Sequence, residues 1–574
     1  MGNVADVINQ FCRRQDMAFA FGMSGANIED VHMAFHRGHG PKPIIVKHEA
    51  NAVACAEGYY LATQMPGLVF STSGGGAFNL IPSLIEARGN GIPMLVLVGQ
   101  IPSTLEGRGG FQDSSIQGNI VDALGLFRQV AIDAERVERP ETILPTLERC
   151  LRKAYRERGP VVVLLPKDVQ QAEMKLPGEE EIPRICDAPE PLREEARVKI
   201  QHLVQQWQTG EPPLIVAGPQ VAHFRLQQQV ERLCRRLGTY CATTPDGKWS
   251  FPPQSPYYLG TIGIMGHESV AQQLEAVRQV VVLGGHLGQM CNMAGLDDTL
   301  EIIYLGSDHP RSALPWRSAL HGDLRSLLGE LKLELDRVGN EKPVFLPAGR
   351  VLFRNAAKAG VETDIINAPW VLQKMQSKAR TMDLFVDAGN TGAYCLHYLT
   401  GNDARVFYTA LAMGGMGQSF GASIGSVVAT QRPTLAISGD GSYLLAGGEI
   451  HTAVNHRLPI LFTIFNNRSH AMCDLREQLY LGRSSRDNLF MPCSIGAGLA
   501  AMYPDLPAFD IASKTEFESL WEHVDDYLAK GPMVISINLS NDDLPPFAPF
   551  LQQQERLDVA AKQSSCIEAH AASL

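Results

Sequence analysis

Two short polar clusters and one glutamate offer the chemistry in this sequence. The first cluster, Gly439-Asp440-Gly441-Ser442, closes the apolar run TLAIS; the second, Asn466-Asn467, closes the apolar run ILFTIF. Between them lies a pattern expected to form an amphipathic helix that includes Glu449 and His451. A strand-helix-strand reading puts both clusters at one edge of a parallel sheet, the edge at which such sheets bind ligands. The glycines allow backbone N–H groups to come close to an anion, and Asp440 and Asn467 supply hard oxygen ligands of the kind magnesium takes beside phosphate. The pattern therefore predicts a Mg-diphosphate clamp, although Asp-Gly alone is first of all a turn signal. The glutamate is Glu49 in IIVKHEANAVACAEGYY, at the end of a strand and the start of a helix. A carboxylate there is favoured by the helix dipole, whatever else it does.

The elements that must position these residues are legible as alternation. Residues 1–175 run FAFG, PIIVKHE, GLVFSTSGGG, PMLVLVGQ and PVVVLLP between helical patterns, as a parallel sheet covered by helices requires. A Pro- and charge-rich linker follows. A second α/β unit is expected over 195–340, from PPLIVAGPQVA through QVVVLGGHLGQ and EIIYLGSDH, and a third over 360–545. Residues 546–574 read as a polar C-terminal tail with mobile last residues. The fold class is α/β, three mainly parallel sheets flanked by helices.

The first and third units read as copies. FSTSGGGAFNL (70–80) aligns with AISGDGSYLL (436–445), GIPMLVLVGQ (91–100) with RLPILFTIFNN (457–467), and GPVVVLLP (159–166) with GPMVISIN (531–538). Gly75 stands where Asp440 does, and Gly99-Gln100 where the asparagine pair does. Only the third unit kept a metal site.

Bulk properties narrow the class. At 574 residues and 45% hydrophobic content the chain is too long for one core. A net charge of -11 gives no reason to expect nucleic acid or a membrane surface as partner. No uninterrupted apolar run reaches about 18 residues, and the N-terminus lacks signal-peptide order. The 11 cysteines show no metal-ligand spacing, which suits a reducing cytoplasm.

GDGS followed by NN after a buried strand resembles the thiamine diphosphate motif of the pyruvate decarboxylase and acetolactate synthase family. The Glu49 segment is similar to that family's HEQxAAxxAxGYA, which implies that Glu49 hydrogen-bonds N1′ of the aminopyrimidine and relays the proton that leaves thiazolium C2. His48 beside it is a candidate for a direct catalytic role or for helix capping. ALAMGGMGQSFGASIGSVV (410–428) resembles GxMGxxxxxAIG. That implies Met416 as the apolar residue under the cofactor and the Gly414 carbonyl as acceptor from its amino group; a methionine is otherwise core filler. In DAGNTG, Asn390 and Thr391 are candidates for cradling phosphate, or form a simple turn. The implied metal shell is Asp440, Asn467 and the Ser469 carbonyl, completed by two diphosphate oxygens and water at roughly 2.0–2.1 Å. Gly441, Ser442, Ala471 and Met472 complete the cofactor's surroundings.

The branch of the family follows from other segments. GQIPSTLEGRGGFQDSS resembles the acetolactate synthase run GQVPxxxxGxxxFQE, so Phe111 and Gln112 match the pair lining the donor pocket there, with Gln112 a catalytic candidate. SGGGAFNL matches SGPGAxNL, and YYLGTIGIMGHE is similar to GMLGMHG. The chain departs where that family has Gln-Trp: Leu475 and Arg476 stand there. Arg476 offers a fork for an anionic acceptor, or is an exposed helical arginine. Cys473 replaces the acid that pyruvate decarboxylases carry. GPQVA and GGHLGQM lack the family's flavin-site residues, so FAD is doubtful. The resemblance implies a thiamine diphosphate- and Mg-dependent carboligase acting on a 2-oxo acid and an acceptor. The alternatives are a non-coupling decarboxylase and a non-catalytic nucleotide-binding α/β protein. It also implies a homodimer or dimer of dimers with active sites between subunits.

Overall fold

The computed structural model describes residues 1–293, 299–308, 311–312, 315–339, 349, 351–354, 364–399, 406–540 and 543–571, with side chains as far as Val559. Three six-stranded, wholly parallel sheets are covered by helices. The first is built of Phe19–Gly22, Lys42–Ile45, Gly67–Ser71, Met94–Gln100, Asp133–Arg136 and Pro160–Pro166. The third is built of Asp383–Val386, Phe407–Thr409, Thr434–Gly439, Ile460–Asn466, Ala508–Ile511 and Met533–Asn538. Counted within each sheet, the strands of both lie in the order 2-1-3-4-6-5. The strand pairs aligned in the sequence are the third, fourth and sixth of each sheet, so the internal copy is a copy in topology. In both sheets the central strands are buried throughout, which is why they read as apolar runs without alternation. The edge strand Asp133–Arg136 carries three charged residues and gave no strand signal.

The middle sheet has the order 3-2-1-4-5-6, from Leu214–Ala217, Cys241–Thr243, Tyr258–Thr261, Gln279–Leu283, Glu301–Gly306 and Ser318–His321. Its GPQVA and GGHLG turns cross closely: a Cβ at Gly218 would sit 2.3 Å from the Gly285 Cα. The middle domain grips the third through Lys248, buried, whose ammonium donates to the Cys395 and Leu396 carbonyls in the last turn of helix Gly389–Tyr398. Burial pulls that amine down to about 7. A donor at a helix C-terminus also complements the dipole.

The first and third domains share one apolar core. Helix Glu49–Thr63 follows the second strand of the first sheet, and helix Gln418–Thr430 follows the second strand of the third. These equivalent helices lie against each other at backbone contact. A Cβ at Gly58 would sit 1.8 Å from the Ala422 carbonyl oxygen, and one at Gly425 1.8 Å from the Cys55 carbonyl oxygen. Only glycine permits that approach.

Two expectations need correction. The helix carrying Glu449 and His451 is broken: Asp440–Ala446 and Ile450–His456 are separated by the 3₁₀ turn Gly447–Glu449, where adjacent glycines weaken the helix. The stretch read as a tail contains helix Ala548–Ala571, anchored by fully buried Phe550 against Leu475 and Leu479. The last residues, 572–574, lie outside the described residues.

Candidate active site

In the third domain, strand Thr434–Gly439 pairs with Ile460–Asn466 up to Gly439 beside Phe465, so Asp440 and Asn467 leave neighbouring strands at one edge. Asp440 opens helix Asp440–Ala446, whose N-cap, Gly439, provides no side-chain cap. Its carboxylate accepts from the Gly441 amide at 2.9 Å and the Ser469 amide at 3.2 Å. Burial pushes it up to about 6, against the pull of these amides. Arg468 takes φ +59, a left-handed turn that folds Ser469 back toward Asp440, and the Ser469 hydroxyl reaches Asn467 Oδ1 at 3.4 Å. Asp440, Asn467 and Ser469 are thus brought together. Among the described residues no three His, Cys, Asp or Glu side chains gather to hold a metal, here or elsewhere, so Asp440 is the one carboxylate of this cluster. A cation at this edge would take carboxylate, amide and carbonyl oxygens, the donor set of magnesium.

The neighbouring strand, Asp383–Val386, leads to helix Gly389–Tyr398, which also lacks a side-chain cap, and Gly389 has φ +80. Thr391 Oγ1 lies 3.4 Å from where a Gly439 Cβ would be. Asn390 Oδ1 is buried without a hydrogen-bond partner, and Cβ atoms at Gly389 and Gly414 would meet nothing within 4 Å. Two uncapped helix N-termini, open glycines and an orphaned amide oxygen fit an anionic group bearing donors. The Ser442 hydroxyl bonds Asp387, a buried carboxyl pushed up to about 6 that also accepts from the Ser419 amide and hydroxyl. Gly441 packs on His470, 2.7 Å from its Nδ1 to a would-be Cβ.

In the first domain Glu49 is the first residue of its helix. Its carboxylate accepts from Asn79 Nδ2 at 2.9 Å, and Oε1 would stand 2.8 Å from a Cβ on Gly76. Gln112 takes φ +65 and packs on Gly74 at φ +64, where a Cβ would meet the Gln112 Cβ at 3.0 Å. Glu49 and Gln112 thus pack on two glycines of one turn, Gly76 and Gly74, and a left-handed glutamine is backbone strain of the sort that gathers at functional sites. His48 is the N-cap of the helix: Nδ1 accepts from the Ala50 amide at 3.2 Å and the ring is exposed. Capping is the role its geometry shows. Phe111 is 83% exposed.

The remaining candidates divide. Gly414, at φ +71, and Met416, 42% exposed, lie in the loop ahead of helix Gln418–Thr430. Ala471 is buried at the start of helix Ala471–Leu481, and Met472 packs with Leu475, Leu479 and Phe550. Cys473 is exposed, and Arg476 is exposed with its guanidinium 5.6 Å from the Tyr480 ring centroid.

The two clusters do not face each other within one chain. Helix Glu49–Thr63 meets the third domain through Asn51, Ala54, Cys55 and Gly58. At 100° per residue Glu49 lies about 200° around the axis from Asn51. Its carboxylate points toward Asn79 and away from its own third domain. Sequence reasoning missed Asn79, Asp387, Glu86 and Glu449; the last two accept hydrogen bonds across the domain boundary. Their one signal is an acid inside an otherwise apolar helical run.

A duplicated α/β pair with an anion cradle in one copy and a buried helix-opening glutamate in the other defines a diphosphate-cofactor enzyme. The chain belongs to the thiamine pyrophosphate enzyme family. It matches the family's N-terminal TPP binding domain over residues 2–120, its central domain over 200–331 and its C-terminal TPP binding domain over 387–537. It is similar to a probable acetolactate synthase large subunit of Methanocaldococcus jannaschii, 27% identical over 460 residues, covering 77% of this chain and 76% of the relative. It is also similar to a sulfoacetaldehyde acetyltransferase of Alcaligenes xylosoxydans, 24% identical over 499 residues, covering 80% of each. Its fold matches that of a thiamine diphosphate-dependent 4-hydroxybenzoylformate decarboxylase of Rhodococcus jostii RHA1 with a TM-score of 0.81 at 19% identity, covering 95% of this chain and 100% of the other. The chain is thus a thiamine diphosphate-dependent enzyme of the acetolactate synthase-like group, which removes the non-catalytic reading. Among the described residues no helix is long and apolar enough to cross a membrane, and the cysteines are free.

Proposed function

We propose that this enzyme is a Mg-dependent carboligase that decarboxylates a 2-oxo acid and passes the acyl unit to a second, anionic acceptor. The observation that carries this is Gln112, left-handed and packed on Gly74 of the turn whose Gly76 lies against Glu49, as a donor-pocket residue like that of the acetolactate synthases would be. The sulfoacetaldehyde acetyltransferase relative supports an acceptor other than a proton.

The bound cofactor supplies the electron sink that stabilises a carbanion next to a former carbonyl. The chain's residues do the rest. Asp440, Asn467 and the Ser469 carbonyl hold the magnesium ion. The starts of helices Gly389–Tyr398 and Asp440–Ala446, neither capped by a side chain of its N-cap residue, would hold the diphosphate, with Asn390 and Thr391 adding side-chain contacts. The Gly414 carbonyl would accept from the aminopyrimidine and Met416 would supply an apolar contact to the cofactor. Glu49, oriented by Asn79, gives and receives the proton at N1′. Gln112 and Phe111 face the donor, and Arg476 recognises the acceptor's carboxylate, sulfonate or phosphate.

Because Glu49 turns away from its own third domain, the site is shared between two copies of the chain. The exposed apolar side chains Phe111, Ile116 and Ile120 of the first domain and Met413, Leu444 and Leu445 of the third supply surface for that association. The test is product analysis of the purified protein with thiamine diphosphate, Mg²⁺, pyruvate and a panel of anionic and neutral acceptors. A coupled product with an anionic acceptor is expected. Free aldehyde alone across the panel would replace this reading by the non-coupling decarboxylase.

A further inference from the structure

Two buried glutamates outside the expected site cross the boundary between the first and third domains in mirrored fashion. Glu86 lies on helix Ile81–Gly89, after the third strand of the first sheet. Its two carboxylate oxygens accept from the main-chain amides of Ala412 at 3.0 Å and Met413 at 2.8 Å, and the Gly415 amide bonds the same group. These amides belong to the loop that carries Gly414 and Met416. Glu449 closes the 3₁₀ turn Gly447–Glu449, after the third strand of the third sheet. Its Oε2 accepts from the Lys47 amide at 3.0 Å and Asn51 Nδ2 at 2.9 Å, and its Oε1 from the Thr452 hydroxyl at 2.6 Å. Lys47 and Asn51 bracket Glu49. Both glutamates are fully buried.

We propose that Glu86 and Glu449 are reciprocal positioning residues, each holding the backbone of the cofactor-facing loop of the other domain in the same chain. The inference rests on the cofactor roles proposed for Glu49, Gly414 and Met416, and extends them. A buried carboxylate costs free energy unless its oxygens are satisfied, and here the partners are largely main-chain amides of loops that leave a strand before a helix. Without the carboxylates these amides would each lose a charge-assisted hydrogen bond. The residues touch neither substrate nor cofactor; they fix where Glu49 and Gly414 stand.

The two clamps respond differently to amide replacement. Both Glu86 oxygens take a main-chain N–H, so in Glu86→Gln the amide nitrogen must face a donor. In Glu449→Gln the remaining oxygen still accepts from Lys47 and Asn51, while the Thr452 hydroxyl turns to accept the new amide.

The test is residue-resolved amide hydrogen exchange on the full-length apoprotein, with strand Ile460–Asn466 as internal reference. Glu86→Gln is expected to speed exchange at Ala412 and Met413 about tenfold or more, the size that loss of one charge-assisted hydrogen bond implies. Lys47 and the reference strand should stay unchanged. Glu449→Ala is expected to do the same at Lys47 alone, and Glu449→Gln to restore the wild-type rate. Unchanged exchange at the clamped amides, or faster exchange throughout including the reference strand, would overturn the proposal. In the loaded protein Glu86→Gln should weaken thiamine diphosphate binding while Glu449→Gln does not. Should wild-type protein fail to bind the cofactor, the functional reading falls, and the apoprotein exchange still decides the clamps.

Discussion

The first and third sheets lay their strands in the same order, and each begins a helix straight after its third strand or the turn that follows it, at Gly75 in one and at Asp440 in the other. One position thus bears a buried carboxylate beside Asn467 and Ser469, while its counterpart bears no side chain and looks onto open space. The helix after the second strand differs in the opposite sense. In the first domain it opens with Glu49; in the third it is preceded by Gly414 and Met416 and opens without an acid. One scaffold, used twice, has distributed anion binding to one copy and proton handling to the other. Each edge alone is half a site. The division is economical because a carboxylate that must stay free to exchange a proton is kept away from the cation that would hold it ionised.

The sharpest break of this comparison is Asp440→Ala. It should abolish turnover and Mg-dependent cofactor binding, read by calorimetry with and without chelator. Gly75→Asp, at the matching position in the copy, should fold normally and gain no metal affinity, since no amide or carbonyl partner waits there. A metal site created at residue 75 would show that the scaffold, not the side chains, decides the division.

Glu49→Gln is expected to leave folding and cofactor affinity intact while slowing exchange of the thiazolium C2 proton by orders of magnitude, followed by NMR; an unchanged rate would remove Glu49 from proton handling. Mixing the inactive Glu49→Gln and Asp440→Ala chains after dissociation and reassociation should restore activity to about a quarter of wild type. Half the dimers are then mixed, and each carries one intact shared site. No recovery would place both halves of a site in one chain.

A smaller effect is expected where the copies meet. Gly425→Ala must push apart a pair of helices at backbone contact and should cost at least ~2 kcal/mol, measured by thermal unfolding. The smallest concerns Glu57, fully buried between Asn90 and the Tyr408 hydroxyl, where burial beside Glu86 pushes it up to about 8. A carboxyl whose folded value is raised stabilises the fold fully below its ordinary value of 4.5, and loses that contribution as pH climbs toward 8. Melting temperature should therefore fall over that window, and Glu57→Gln should flatten its upper end.

The elements of these two domains were readable because central parallel strands, buried on both faces, leave apolar runs such as VVVLL that turns rich in glycine then interrupt. The edge strand Asp133–Arg136 was not readable, since a half-exposed strand with charged residues carries no such run. At the site, Asp440, Asn467 and Glu49 were visible because chain ends of strands and starts of helices are positions where a polar residue stands out. Asn79 and Asp387 were inside quoted motifs but showed no sign of their partners, which lie 30 and 32 residues away in sequence. Glu86 and Glu449 were the least visible: an acid in an otherwise apolar helical run is their one local signal, and the partners that explain it come from the opposite end of the chain. Helix Ala548–Ala571 escaped for a related reason, as its anchoring residue Phe550 is explained only by Leu475 and Leu479.

The glycine notch between helices Glu49–Thr63 and Gln418–Thr430 has a further consequence. Equivalent helices meeting through equivalent faces are what a two-fold symmetric homodimer of the ancestral half-chain would present, now sealed by a covalent connection through the middle domain. Such a seam carries its own recognition, so the covalent connection is a tether and not the source of the fit. Inheritance is constrained accordingly: Gly58 makes room for the Ala422 carbonyl and Gly425 for the Cys55 carbonyl, and because the opposing atoms are backbone, no change of side chain across the seam frees either glycine to become larger.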